Sequence, residues 1–83
     1  MTESAHEHRV TVTVNGRPVE LPKSHVTGGE IKAAAIAQGV AIQPNFILQR
    51  DLPNGHEDTI GDNQPINVHE HEQFTALAPD DHS

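Results

Sequence analysis

Apolar and polar positions alternate strictly over the first patterned stretch. Val10, Val12 and Val14 fall on one side, Thr11 and Thr13 on the other. Successive side chains of a strand point to opposite faces, so this period of two predicts a half-buried, β-branched strand. Asn15-Gly16 follows. Both residues tolerate positive φ, which makes the pair a strong signal for a two-residue hairpin turn. Val19 and Leu21 resume the alternation in a second strand, and Pro22 ends it.

The period then changes. Thr27 is a good helix N-cap, and Glu30 stands three residues further on, which together form a capping box. Val26 before the cap and Ile31 inside the helix are placed to form a hydrophobic staple. The run from Ile31 to Gln38 consists of strong helix formers. Gly39 and Val40 supply the C′ glycine and apolar C″ residue that stop a helix. The predicted helix spans Gly28–Gln38, and its alanines allow close approach to a sheet.

Beyond Pro44, residues Asn45–Arg50 read as a third strand, with Phe46 and Leu48 facing the helix and Ile47 facing out. Asp51-Leu52-Pro53-Asn54-Gly55 is turn chemistry. A short fourth strand follows around Glu57–Ile60. After a loop through Pro65, Ile66 and Val68 alternate and a polar corner, His69-Glu70-His71-Glu72, leads into a last strand, Gln73–Leu77. Phe74 and Ala76 would face in, leaving Thr75 and Leu77 out. A hairpin, one crossover helix and returning strands make a small mixed sheet with one helix packed across it.

Composition narrows the function classes. The 83 residues carry a net charge of −7, with five basic and twelve acidic groups. Nucleic-acid binding depends on clustered Lys and Arg, and so does docking on anionic membranes, so neither is expected. There is no cysteine, which removes disulfides, a thiol nucleophile and thiolate metal ligands. The first eight residues have neither a basic nor an apolar signal-peptide segment, and no apolar run approaches the roughly 18 residues of a membrane span. The expected location is the cytoplasm. With two Phe and neither Trp nor Tyr, the core must be built from Val, Ile, Leu and Ala. Residues 1–8 read as a disordered arm, 9–78 as one domain and 79–83 as a flexible tail.

Val12-Thr13-Val14-Asn15-Gly16 with Val19, Thr27-Gly28-Gly29-Glu30-Ile31, Ile60-Gly61-Asp62 through Pro65-Ile66, and Glu70 through Ala76 together resemble the bacterial multiubiquitin (ubiquitin-like) domain proteins. The resemblance implies an α+β fold, the β-grasp, with a mixed four- to five-stranded sheet and one packed helix. It also implies a non-catalytic protein modifier in a bacterial conjugation-type system. Its expected partners are an E1-like activating enzyme, an E2-like carrier and a JAB-type metalloprotease. The terminal Gly-Gly used in such activation is not present; the tail reads Ala78-Pro79-Asp80-Asp81-His82-Ser83. Glycines suit a narrow channel because they lack side chains, so either a protease trims this tail, or activation uses a different tail chemistry, or the protein is not conjugated; JAB-type trimming is the expectation. The alternative is a non-covalent adaptor or structural building block. A sulfur carrier of the thiocarboxylate type shares the fold but needs the Gly-Gly.

Other candidate chemistry is thin. His6-x-His8 and His69-x-His71 have a chelating spacing on an extended strand, but no third ligand is placed, and no metal or cofactor is expected. Gly28-Gly29 at a helix start is not a phosphate loop; Glu30 beside it would repel an anion. Ser4, Ser24 and Ser83 have no assembled base. What remains is a surface. Neighbouring strands place Ile47 near Leu77, with Thr75 beside them, as the expected partner-binding patch.

Overall fold

The computed structural model describes residues 9–79; the expected arm, residues 1–8, and the tail residues Asp80, Asp81, His82 and Ser83 lie outside the described residues. The first hairpin forms as patterned: β1 (Val10–Val14) and β2 (Arg17–Leu21) pair antiparallel, with Val14 opposite Arg17. Asn15 and Gly16 make the two-residue turn at φ 54° and 79°, the positive values that match the turn to the strand twist.

Helix α1 (Gly28–Ala37) starts at Thr27. The Thr27 hydroxyl accepts from the Glu30 N–H at 3.2 Å, and the Glu30 carboxylate accepts from the Thr27 N–H at 2.9 Å. It ends in a Schellman motif: Gly39 N–H donates to Ile36 O at 3.1 Å and Val40 N–H to Ala35 O at 2.9 Å. Gln38 becomes the cap residue.

The remaining strands are β4 (Ile47–Asp51), β5 (Glu57–Ile60) and β7 (Gln73–Leu77), plus two short ones that the sequence pattern did not disclose, β3 (His25–Thr27) and β6 (Pro65–Asn67). The main sheet has the order β2-β1-β7-β4-β5, with β7 parallel to β1 and all other neighbours antiparallel. β3 and β6 form a separate two-stranded sheet, with Val26 opposite Ile66.

Helix α1 packs across one face of the main sheet. Between them lie Val12, Val14, Val19, Leu21, Ile31, Leu48 and Phe74, all essentially without solvent contact. Val10, Val26, Ala35, Val40, Ile42, Ile60, Val68 and Ala76 complete the core. Phe46 departs from expectation. The strand begins two residues later, at Ile47, so Phe46 sits in a turn (its N–H donates to Gln43 O at 3.0 Å), half-buried against the core edge.

Gly28 has a packing role. A Cβ there would collide with the Gly61 carbonyl oxygen, because the helix start lies directly against the β5–β6 loop. Gly29 N–H donates to Asp62 O at 3.0 Å across the same contact. At the outer edge of the sheet, the Gln38 side-chain amide pairs with the Glu20 backbone, accepting from its N–H at 2.9 Å and donating to its carbonyl at 2.8 Å.

Candidate docking surface

The sheet face away from α1 is open. Alternation along β4 sends Leu48 inward, 1% exposed, and Ile47 outward, 40% exposed. On β7, Phe74 and Ala76 go inward, and Leu77 stands out at 45%. β4 and β7 are adjacent and antiparallel, and their register puts Ile47 directly opposite Leu77 and Gln49 opposite Thr75. The structure thus brings the expected apolar pair together as cross-strand neighbours, the closest relation a sheet allows. Thr75 is half-buried and its hydroxyl donates to Asp51 Oδ2 at 3.1 Å, so it supports the patch more than it offers itself.

The charged side chains at the outward strand positions of this face are acidic, and one of them, Glu20, is paired with Arg9 at 3.2 Å. The outward positions are Thr11 and Thr13 on β1, Pro18 and Glu20 on β2, Gln49 and Asp51 on β4, Glu57 and Thr59 on β5, and Gln73 on β7. None is Lys or Arg. Asp51 and Glu57 face each other across β4 and β5, an arrangement that repels itself and attracts a cation from outside.

The end of β7 is held by a residue whose second role the hairpin signal concealed. Beyond Val14 and Phe74 the β1–β7 ladder stops, yet the Asn15 side chain continues it. Asn15 Oδ1 accepts from Ala76 N–H at 2.8 Å, and Asn15 Nδ2 donates to Ala76 O at 3.2 Å. This clamp fixes the end of the strand just before Leu77, after which Ala78 and Pro79 leave the sheet exposed.

The polar corner between β6 and β7 is structural. Thr11 N–H donates to Glu70 Oε1 at 3.2 Å, His71 N–H to Thr11 O at 2.7 Å and Thr13 N–H to Glu72 O at 2.8 Å, so the corner pairs with the first half of β1. Arg50 lies over the Phe74 ring, 5.8 Å from its centroid, and approaches Glu72 Oε2 at 3.1 Å in a geometry that gives Nε no hydrogen bond. His69 and His71 stand in a turn, with His71 at φ 66°, so the same-face spacing of an extended strand does not apply to them. His6 and His8 lie outside the described residues. Among the described residues, no group of three or more His, Asp or Glu side chains is placed to hold a metal ion. No helix among them is long and apolar enough to cross a membrane.

A hairpin, a crossover helix and a five-stranded mixed sheet with a parallel β1–β7 pair define a ubiquitin-like domain of the β-grasp class. The chain belongs to the multiubiquitin family, whose model matches residues 10–80. No curated protein and no solved structure gives a significant match.

Proposed function

We propose that this chain is a ubiquitin-like protein modifier without catalytic activity of its own. An E1-like activating enzyme and an E2-like carrier dock on the open sheet face around Ile47, Thr75 and Leu77. They act on the segment Ala78–Ser83, which a JAB-type metalloprotease processes. One observation carries the reading. The exposed Ile47–Leu77 pair sits at the end of β7, where the chain leaves the domain, so a bound enzyme would have the tail within reach. The facing carboxylates of this surface, Asp51 and Glu57, lie at the far end of β4 and β5 from the pair, so a partner with an apolar contact and Lys or Arg to one side of it fits the face.

The test is a pull-down and intact-mass assay with the cognate activating enzyme and carrier. Ile47→Asp places a charge inside the apolar contact and should weaken docking by at least about tenfold while the domain stays folded. Deleting the residues after Leu77 should leave docking intact and abolish any adenylate or covalent adduct. Unchanged binding by Ile47→Asp would move the docking site elsewhere. Unchanged behaviour on tail deletion, with docking preserved, would make the protein a non-covalent adaptor.

A further inference from the structure

Beyond its first turn, helix α1 exposes apolar residues and no charge, which is unusual for a helix with one side in water. Ile31 and Ala35 face the core, but Ala33, Ile36 and Ala37 are exposed, Ile36 at 37%. Helices of this character are normally covered on all sides. The exposed residues do not stand on a convex ridge. Together with Pro44 and the β5–β6 loop at Asp62 and Asn63 they line a groove of about 580 Å³, on the opposite side of the domain from Ile47 and Leu77.

The rim of the groove is acidic. Glu30 is the sole exposed charge on the helix. Among the residues lining the groove the one cation, Lys32, is 5% exposed, and its ammonium is spent internally on Pro44 O at 2.7 Å, Phe46 O at 2.6 Å and Asp62 Oδ1 at 2.7 Å. Of that ion pair it is the Asp62 side chain that faces water, at 62% against 6% for Lys32. Lys32 also makes the groove rigid, because it ties the helix to the Pro44 turn and to the β5–β6 loop at once. A second copy of the chain is disfavoured as occupant: each copy carries −7, and self-association would bring acidic rims together.

We propose that this groove is a second docking site, and that it receives an amphipathic helix of a partner protein, with apolar side chains seated on Ala33, Ile36 and Ala37 and Lys or Arg residues flanking them toward Glu30 and Asp62. The mode is helix-in-groove recognition: small alanines let the backbones approach, and Ile36 provides the anchor. The site does not depend on the reading of the sheet face.

The full chain is panned against a displayed library of amphipathic helices of about five turns. Their apolar stripe is fixed and their polar positions are randomised over acidic, basic and neutral residues. The expected pool is net positive. It should lose about tenfold or more in affinity on Ile36→Gln, which removes the anchor, and on Ala33→Lys, which adds a repelling charge. Both replacements are good helix formers, and amide spectra check that each variant is folded. Ile47→Asp should leave the pool's binding unchanged. No enrichment over an unrelated bait, a neutral or acidic pool, or binding indifferent to Ile36→Gln would overturn the proposal. A pool that responds to Ile47→Asp instead would belong to the sheet face, overturning this site and leaving the other standing. Sedimentation showing a dimer that Ile36→Gln dissolves would make a second copy the occupant and overturn it as well.

Discussion

Asn15→Gly isolates the clamp on the end of β7. The backbone at this position has φ 54°, which glycine adopts without strain, so the turn itself survives. What is lost is the side chain, and with it both hydrogen bonds to Ala76. Each is part-buried and worth about 1 kcal/mol net, so the pair contributes about 2 kcal/mol. The greater freedom of glycine in the unfolded chain adds a few tenths more at most, because glycine also favours this conformation. For a domain of this size, about 2 kcal/mol lowers Tm by roughly 8–16 °C. Urea denaturation should show a lower midpoint at unchanged slope. Hydrogen exchange gives the local reading: the Ala76 amide should lose protection beyond the global change, while Leu48 on β4 should not. An unchanged midpoint with Ala76 still protected would refute the clamp and leave Asn15 as a turn residue alone.

Three further substitutions test the packing. Phe74→Ala removes the largest fully buried side chain and should cost about 3–5 kcal/mol in urea denaturation; a near-zero change would refute its place in the core. Thr27→Ala deletes one arm of the capping box and should cost about 1 kcal/mol, with the loss of protection concentrated in the first turn of α1 by hydrogen exchange. Gly28→Ala puts a methyl group onto the Gly61 carbonyl oxygen and should destabilise by about 1–3 kcal/mol, as overpacking does, although alanine is the better helix former; a gain in stability would show that the β5–β6 loop yields freely.

Elements with local signals were legible in the sequence, and elements defined only by a distant partner were not. Asn15-Gly16 between alternating valines specifies its hairpin within about ten residues of chain. Thr27, Glu30, Gly39 and Val40 mark both helix ends, and the alternations of β4 and β7 fix which of their residues face in, while their register is set by the pairing itself. β3 and β6 left no such trace. Each has three residues, one begins with proline, and each is a strand because the other lies beside it. Phe46 was placed in the strand because aromatic character counts toward β-structure, whereas Pro44 and Asn45 hold it in the turn. The glycine pair at the start of α1 was read as part of a cap, but the close approach of Gly61 and Asp62 is tertiary and nothing local encodes it. At the candidate docking surface, alternation gave the outward residues Ile47, Thr75 and Leu77, while the Asn15 clamp and the groove beside α1 depend on parts of the chain far apart in sequence.

The pairing of Gln38 with Glu20 has a consequence for how such domains coexist. In an antiparallel pair the N–H groups of alternate residues point the same way, so Pro18, Glu20 and Pro22 share the rim of β2 that faces away from β1. Two of these have no N–H to give, and the third is already spent on Gln38. That rim therefore offers an incoming strand no free donor, so a strand added there would forgo the donor half of its ladder, which disfavours extension of the sheet by another molecule. The opposite rim, β5, carries Glu57 and Asp58, which repel a like rim. Copies of the domain can thus be crowded together, or strung along one chain, without their sheets fusing into a continuous ribbon.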